Sequence, residues 1–419
     1  MSRPSVTKTD LVVVGGGIIG LAIAREFAQQ FAGMRVMVLE KESSIVTHQS
    51  LRNSGVVHSG IFTKPGSFSA RAASLGGSLL VEYCRQRDLP VERVGKVIVA
   101  AHQNELPMLD LLYKYGMENG APGLEMIGAE HLSEIEPHVQ GIKAIYMPLT
   151  ATVDYARIAR AFADDLIAIG GEIVTHVRVD SLTTSTPNIV LITSMDHTQA
   201  QWQLEIQADY VITAGGLHED LLVHMTNPQR QQDLLIVPFR TDYYVLRPEK
   251  RDLLRGLVYA VPDSDLSPHG IHFVPHVDGR LLLAPAAALA FAREGYGRKD
   301  VNPREMRETA GFPGFQRWAL RHGVAAAQDI YRDYNKTAHL KQFQRYLPEL
   351  TADDLQAGSS GVRALALLRN GTYADDLLIQ RSGTVIHVEN VPSSAATASL
   401  FIASQVAELA ERELLLTRL

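Results

Sequence analysis

Three glycines near the start of the chain have the spacing of a dinucleotide-binding turn. Gly15, Gly17 and Gly20 form a GxGxxG pattern between an apolar run and a helical pattern. In such a turn the first glycine permits the bend, the second lets a pyrophosphate approach the backbone, and the third lets helix and strand pack closely. Glu40 ends the next apolar run, where a carboxylate can accept a hydrogen bond from a ribose hydroxyl. The pattern favours dinucleotide binding over a purely structural turn, and the acidic residue disfavours NADP.

A second glycine-containing segment favours FAD over NAD. Residues 209–216 are typical of a short buried strand that ends in Ala214-Gly215-Gly216. In FAD-linked oxidoreductases this pattern returns the chain to the side of the dinucleotide. Val177 follows Gly170-Gly171 at the place where such proteins contact adenine. We therefore predict FAD as the cofactor and no metal.

The C-terminal part of the chain could stabilise a reduced flavin. Pro392 and cap-type serines precede a predicted amphipathic helix over residues 394–416. A reduced flavin carries negative charge around N1 and O2, which a helix N-terminus would stabilise. The small Ala395 and Ala396 would let the isoalloxazine approach the backbone. A plain capped helix is the alternative.

The predicted elements that must position these residues form an α/β architecture. The start of the chain predicts a βαβ unit, which requires a parallel sheet. Its parts are the run Leu11 to Val14, the glycine turn, a helix ending near Gly33 and the run Met34 to Leu39. Alternating strands are predicted at 96–101, 171–179, 188–194, 202–206, 242–246 and 272–277. Amphipathic helices are predicted at 67–88, 104–119, 154–169, 303–322 and 394–416.

The order of these elements predicts a Rossmann-like FAD-binding domain with an inserted, antiparallel-sheet (α+β) substrate domain. We predict a discontinuous FAD-binding domain from residues 1–75, 150–235 and 345–419. The substrate domain would then comprise residues 76–149 and 236–344.

Composition excludes several other classes of protein. With 419 residues, 46% of them hydrophobic and 21% charged, the chain is neither disordered nor collagen-like nor a coiled coil. A net charge of -6 predicts no nucleic-acid partner. The single Cys84 cannot form an internal disulfide, is predicted to be a packed thiol, and favours a reducing compartment.

The apolar segments predict a soluble, cytoplasmic protein. The most apolar stretch, residues 281–292, is shorter than the ~20 residues that span a bilayer, and residues 1–10 lack the apolar run of a signal peptide. Peripheral membrane contact stays open, because the apolar tail at residues 413–419 suits either packing or a membrane.

Ten stretches, in order along the chain, resemble the FAD-dependent L-2-hydroxyglutarate dehydrogenases/oxidases of the D-amino-acid-oxidase-like superfamily. They are NSGVVHSGI (53–61), GKVIVA (95–100), NGAPG (119–123), VDY (153–155), IVPFR (236–240), YAVPD (259–263), GIHF (270–273), LAFAREGY (289–296), GVRA (361–364) and HVENVPSSAATAS (387–399). The chain departs from the family at two points. It has Ala284-Pro285-Ala286 where members carry Gly-Pro-Asn, and Leu365 where they carry Gln. Losing two polar side chains can change substrate specificity by orders of magnitude.

The glycine turn and the resemblance together imply a set of residues in contact with FAD. These residues are Gly15, Gly17, Ile18, Ile19, Gly20, Glu40, Lys41, Asn53, Ser54, Val177, Ala214, Gly215, Gly216, Ser394, Ala395, Ala396 and Thr397.

Flavin oxidation of a 2-hydroxy acid needs a carboxylate clamp, a base for the hydroxyl proton, and hydride transfer from Cα to flavin N5. Arg363 is the predicted clamp, because a guanidinium matches a carboxylate bidentately. We expect it in a loop after Ser359-Ser360-Gly361, and the alternative is a salt-bridged or flavin-contacting arginine. Arg240 is a candidate for the second carboxylate of a dicarboxylate, and Tyr243 is a further substrate-binding candidate.

Two histidines are candidates for the base, because the ordinary pKa of histidine lies near neutrality. His58 lies in a glycine-flanked segment that resembles the family's flavin-facing loop, and it could instead contact the flavin. His272 lies on a predicted strand, where an ordinary hydrogen-bonded histidine is the alternative.

The resemblance implies oxidation of L-2-hydroxyglutarate to 2-oxoglutarate by FAD. Three alternatives remain: an FAD-dependent oxidase of another 2-hydroxy acid or of an amino acid, a non-catalytic flavoprotein, and an NAD-linked dehydrogenase. The electron acceptor could be oxygen, a quinone or an electron-transfer protein.

Overall fold

Two mixed sheets hold most of the strands in the computed structural model, which describes residues 6–31, 33–186, 189–196, 201–228, 233–262, 270–414 and 416. The strands are β1 (Val6–Val14), β2 (Val36–Leu39), β3 (Val91–Arg93), β4 (Lys96–Ala100), β5 (Glu125–Gly128), β6 (Lys143–Met147), β7 (Ala151–Val153), β8 (Glu172–Val174), β9 (Ser181–Thr186), β10 (Ile189–Asp196), β11 (Gln201–Thr213), β12 (Leu234–Leu246), β13 (Leu257–Ala260), β14 (His272–Pro275), β15 (Leu281–Ala284), β16 (Ala288–Leu289), β17 (Leu355–Leu368), β18 (Leu378–Ser382) and β19 (Val385–Asn390). The helices are α1 (Ile18–Gln30), α2 (Phe68–Gln86), α3 (Leu106–Glu118), α4 (Ala129–Ile135), α5 (Tyr155–Ala168), α6 (Glu219–Thr226), α7 (Pro303–Gly311), α8 (Pro313–Asp333), α9 (Lys336–Phe343) and α10 (Ser399–Leu414).

The first sheet has the strand order β18-β19-β11-β1-β2-β8, and it confirms the predicted βαβ start of the chain. β1 is parallel to β2 and to β11, while β8 is parallel to β2 and β19 to β11. Helices α1, α2, α5 and α10 share one apolar core on this sheet. Cys84 lies in that core as a packed thiol, and burial raises its pKa to about 11.

One long strand replaces two predicted segments. Residues 202–206 and the strand part of 209–216 both belong to β11. β11 is parallel to β1 over residues 205–213, while its other edge pairs antiparallel with β10 and then parallel with β19. The sequence pattern changes along β11 because its neighbour changes.

The second sheet has the order β16-β12-β15-β14-β13-β4-β6-β5, with β17 also paired to β12. Its pairs are antiparallel, as predicted, except β13 with β4. The loop predicted around Arg363 is wrong, because residues 355–368 form β17, which pairs along β12. Gly361 fits this strand because a Cβ there would lie 2.5 Å from the Arg52 carbonyl oxygen.

The chain passes between the two sheets several times, as a discontinuous organisation requires. The predicted division places residues 345–419 in the FAD-binding domain, whereas β17 lies in the second sheet. It also places α2 in the substrate domain, whereas α2 packs in the core of the first sheet. We therefore propose moving β17 to the substrate domain and α2 to the FAD-binding domain.

Two other predicted elements differ from the structure. The predicted helix 303–322 is two helices, and the second begins at Pro313, a residue that fits the first turn of a helix but not its interior. The predicted strand 171–179 shortens to β8, and His176 just beyond it has a positive φ of 61°. Asn188, the first residue of the predicted strand 188–194, lies outside the described residues, as do Asp263 of the YAVPD stretch and Leu415 and residues 417–419 of the apolar tail.

Candidate functional site

A cavity of about 1800 Å³ is lined by residues of both sheets. Pockets that bind a drug-sized ligand typically measure ~300–1000 Å³, so this larger cavity has room for a dinucleotide and a small acid together. Its walls include all but one of the residues predicted to contact FAD, and the exception is Gly20.

The glycine turn forms one end of the cavity. Gly15 has a φ of +116°, and a Cβ there would lie 2.4 Å from the Ala214 carbonyl oxygen. A Cβ on Gly20 would lie 2.0 Å from the Gly15 carbonyl oxygen, so Gly20 serves packing rather than ligand contact. Gly17 caps α1 without a side-chain hydrogen bond, and the first turn of α1 holds no acidic residue. The positive end of α1 is thus available to phosphate groups.

Glu40 is fixed at the wall beside this turn. Its Oε2 accepts a hydrogen bond from the Gly16 N–H at 2.8 Å, and its Oε1 accepts one from the Glu42 N–H at 2.9 Å. The Val177 N–H donates to the Glu40 carbonyl oxygen at 2.8 Å. The carboxylate therefore has a set orientation and spare lone pairs for ribose hydroxyls. The neighbouring Lys41 lines the cavity and is ion-paired with Glu42 and Glu294.

A buried polar network supports the Ala214-Gly215-Gly216 segment. The Gly215 N–H donates to Oε2 of Glu219 at 2.5 Å. Thr213 Oγ1 contacts Glu219 and also Nδ1 of His387 at 2.7 Å. Burial raises the pKa of Glu219. The sequence analysis missed this network, whose members Glu219 and His387 lie far apart in sequence.

The C-terminal segment reaches the cavity as a turn rather than as a helix. α10 begins at Ser399, and residues 393–398 form successive turns, so the predicted helix start at 394 is wrong. Close packing helps to position this turn, because a Cβ on Gly76 of α2 would lie 2.6 Å from the Ala398 Cα. The buried Ser394 Oγ lines the cavity and has no hydrogen-bond partner in the described part of the chain. An unsatisfied buried hydroxyl here fits a ligand with polar ring edges.

Tyr155 and Thr397 tie this turn to the loop that carries His58. The buried Tyr155 hydroxyl donates to the Val56 carbonyl oxygen at 2.8 Å and contacts Thr397 Oγ1 at 2.6 Å. Thr397 Oγ1 also accepts a hydrogen bond from the His58 N–H at 3.1 Å. The same loop is shaped by Asn53, whose Oδ1 accepts from the Gly55 N–H at 3.0 Å.

The other end of the cavity holds a cluster of titratable side chains. His58, Lys96, Tyr243 and Arg363 line it. They come from the loop after β2 and from strands β4, β12 and β17 of the second sheet. The Tyr243 hydroxyl interacts with Ser54 and Arg363, and burial raises its pKa.

His272 lies behind this wall rather than on it. It is 2% exposed, stacks on Tyr259 at 4.9 Å and meets Tyr243 edge to face at 6.4 Å. Its Nδ1 lies 3.1 Å from the Gly270 carbonyl oxygen, which can only accept, so Nδ1 carries the proton in that hydrogen bond.

Both histidines are neutral at physiological pH. Burial, reinforced by Lys96, Arg363 and His272, lowers the pKa of His58 to about 3. Burial, reinforced chiefly by Arg363, lowers the pKa of His272 to about 3 as well. A neutral imidazole can accept a proton, but with a pKa this low it is a weak base until a bound anion compensates the neighbouring cations.

Lys96 is the residue of this cluster that the sequence analysis missed. It is 1% exposed, and its Nζ lies 4.9 Å from the ring centroid of Phe62 and 4.7 Å from that of Tyr259. Burial lowers its pKa to about 7. No carboxylate pairs with Lys96 among the residues that the structure describes. The available signal was a lysine in a strand whose other residues, 97–100, are all apolar.

Of the two arginines proposed as clamps, only Arg363 is available to a substrate. Arg363 lines the cavity and has no carboxylate partner within the described ranges. Arg240 is 3% exposed, does not line the cavity, and is ion-paired with Asp242 and Asp333. The prediction that Arg240 binds substrate is therefore wrong, because its charge is already compensated inside the protein.

The two departures from the family pattern lie in different places. Leu365 lines the cavity two residues beyond Arg363, on the same face of β17 because side chains alternate along a strand. Ala286 is half-buried and does not line the cavity, although its neighbour Ala287 does.

Among the described helices, none combines the length and the apolar character needed to cross a membrane.

Comparisons with known proteins show the family to which the chain belongs. Residues 10–409 match the family described as FAD dependent oxidoreductase (DAO). The mitochondrial L-2-hydroxyglutarate dehydrogenase of Nematostella vectensis is 40% identical over 412 residues, covering 96% of this chain and 90% of the relative. The human mitochondrial L-2-hydroxyglutarate dehydrogenase is 37% identical, covering 96% and 89%. The L-2-hydroxyglutarate dehydrogenase of Indibacter alkaliphilus is 35% identical, covering 96% and 98%.

Solved structures share the fold at low sequence identity. The dithionite-reduced L-α-glycerophosphate oxidase of Mycoplasma pneumoniae, with FAD bound, superposes with a TM-score of 0.77 at 20% identity, covering 96% of this chain and 95% of that one. The glycine oxidase of Bacillus cereus gives a TM-score of 0.68 at 16% identity, covering 97% and 95%.

Proposed function

Because this chain belongs to the DAO family of FAD-dependent oxidoreductases, we propose that it oxidises L-2-hydroxyglutarate to 2-oxoglutarate. Relatives named for that substrate match nearly the whole chain at 35–40% identity. The observation that carries the proposal is the pairing of a carboxylate-free Arg363 with a neutral His58 on one wall of the cavity. A 2-hydroxy acid needs these two groups next to each other.

The glycine turn and its neighbours would hold FAD. The N-terminus of α1 would receive the pyrophosphate, Glu40 the ribose hydroxyls, and the turn at residues 393–398 the flavin ring. When bound, FAD supplies an acceptor for the hydride that leaves the substrate Cα. The protein contributes position and electrostatics.

Arg363 binds the α-carboxylate and so fixes the reacting carbon. Its side chain can donate two parallel hydrogen bonds to a carboxylate. β17 gives it a more rigid base than the predicted loop, because the strand pairs along β12. Tyr243 beside it presents a hydroxyl at the same wall.

His58 acts as the base that removes the hydroxyl proton, because it lines the cavity while His272 does not. Its low pKa keeps it neutral before substrate arrives. A bound carboxylate that neutralises Arg363 removes one cause of that low pKa, so substrate binding strengthens the base. His272 supports the wall through its contacts with Tyr243 and Tyr259.

Anaerobic titration of the purified flavoprotein tests this function. We expect L-2-hydroxyglutarate to bleach the flavin band near ~450 nm, while D-2-hydroxyglutarate and L-glutamate leave it unchanged. Bleaching by L-glutamate instead would indicate an amino-acid oxidase. A flavin that no 2-hydroxy acid reduces would refute the proposal, and it would direct attention to the apolar Leu365 at the cavity wall.

The electron acceptor and the location in the cell remain predictions. We propose oxygen, a quinone or an electron-transfer protein as acceptor, in a cytoplasmic protein that contacts membranes at most peripherally. Reoxidation of the substrate-reduced protein by each acceptor in turn distinguishes the three.

A further inference from the structure

We propose that Lys96 binds the substrate carboxylate remote from the reacting carbon, and thereby selects a dicarboxylate over a monocarboxylate. This inference rests on the proposed function, since it assigns the second charged end of the same substrate.

The first support is the isolation of the Lys96 charge. A fully buried ammonium group is costly unless it is paired. The rings of Phe62 and Tyr259 lie within reach of its charge but offer no strong hydrogen-bond acceptor through their faces. The three N–H donors of Lys96 thus lack a carboxylate within the described residues, while the side chain lines the cavity. A ligand carboxylate would satisfy them.

The second support is the charge balance at this end of the cavity. The cations that act electrostatically on both His58 and His272 are Lys96 and Arg363. Neither Lys96 nor Arg363 is paired with a described carboxylate. Two unpaired cations on one cavity wall complement a ligand with two negative charges, whereas a monocarboxylate would leave one of them uncompensated.

The third support is that Arg240, the other candidate for the remote carboxylate, is already ion-paired inside the protein. A dicarboxylate needs one cation for each end, and Arg240 is held by Asp242 and Asp333 away from the cavity. Lys96 and Arg363 come from separate strands, β4 and β17, yet both act electrostatically on His58 and on His272. Their charges therefore gather around the same part of the cavity, where the two carboxylates of one substrate could meet them.

The test combines one substitution with substrates that differ only at the remote end. Lys96→Met keeps the side-chain length and removes the charge. The substrates are L-2-hydroxyglutarate, its 5-amide, and L-2-hydroxypentanoate, which share the reacting carbon and the α-carboxylate. We expect the wild-type kcat/KM to fall about 100-fold or more from the dicarboxylate to either analogue, because the site leaves a buried cation unpaired. In Lys96→Met the dicarboxylate should lose that advantage, while L-2-hydroxypentanoate changes less than about threefold.

Two controls separate charge from folding. Lys143→Met removes a lysine from the neighbouring strand β6, where it is partly exposed and paired with Asp110, and it should leave the preference intact. Lys96→Arg keeps the charge and should retain part of the preference. Flavin content confirms that each variant is loaded.

A binding measurement tests the site without turnover. Glutarate, which has no hydroxyl to oxidise, should raise the melting temperature of the wild-type holoenzyme, and pentanoate should do so far less. In Lys96→Met the two should have equal effects. If wild-type flavin is not reduced by L-2-hydroxyglutarate, the proposed function fails, yet the glutarate measurement still decides the role of Lys96. An equal loss for all three substrates, or an unchanged preference in Lys96→Met, overturns the inference.

Discussion

Replacing Lys96 by methionine should make the substrate-free holoenzyme more stable, although it damages activity. The pKa of Lys96 falls from 10.5 to about 7 through burial. At about 1.4 kcal/mol for each pKa unit, the buried charge destabilises the folded state by at most about 5 kcal/mol. The contacts of Lys96 with the rings of Phe62 and Tyr259 offset part of this destabilisation. We therefore expect Lys96→Met to raise the free energy of unfolding by about 2 kcal/mol or more at pH 6. For a chain of this length, that corresponds to a melting temperature higher by about 2 °C or more.

The pH dependence of this gain is the sharper test. The unfolded chain keeps the Lys96 proton up to pH 10.5, whereas the folded protein releases it near pH 7. Between these values protonation favours the unfolded chain, so the destabilisation is complete below about pH 7 and fades as the pH rises. Scanning calorimetry of both FAD-loaded proteins from pH 6 to 9.5 should show the advantage of Lys96→Met shrinking. A variant that is less stable at pH 6, or an advantage that does not change with pH, would refute the reasoning.

Four further outcomes follow from the site. Arg363→Lys should lower kcat/KM for L-2-hydroxyglutarate about 10-fold to 100-fold with normal flavin content, because lysine cannot bind a carboxylate bidentately; steady-state kinetics would show an unchanged value if the clamp lies elsewhere. His58→Gln should lower kcat by about 100-fold or more while KM changes little, and a normal kcat would exclude His58 as the base. Gly15→Ala should purify without flavin, because its Cβ would lie 2.4 Å from a carbonyl oxygen, whereas Gly323→Ala, with open space around its Cβ, should retain it; absorbance spectra distinguish the two. The kcat/KM for the dicarboxylate should decline as the pH rises through about 7, where free Lys96 loses its proton, and this decline should be absent from the pH profile of Lys96→Met.

The residues predicted for the cofactor half of the site line one cavity with the exception of Gly20, and they could be chosen because their signals are local. The glycine turn, Glu40 and the return at Ala214 each lie at the end of a strand, and a parallel sheet brings such ends to one edge. The small residues of the C-terminal turn were also found, although α10 begins five residues later than predicted.

The substrate half depends on partners that are distant in sequence. Arg240 looked available because Asp333, its partner, lies 93 residues away on another element. In the sequence Lys96 resembles an ordinary strand residue, because its burial depends on the elements that pack against the two faces of β4. Arg363 was placed in a loop because a run of glycine and serine precedes it, whereas pairing with β12 overrides that local preference.

The close contact between Gly15 and Ala214 also affects when the cofactor site can form during folding. β1 and α1 leave the ribosome early, yet the strand that completes the turn, β11, follows only after the first strands of the second sheet. The turn at residues 393–398 is translated later still. Contacts between such distant segments form slowly, because the intervening chain must be ordered first. If FAD binds where we propose, we expect it to be captured only near the end of folding. The yellow colour of a preparation would then report that the N-terminal, central and C-terminal segments have all assembled.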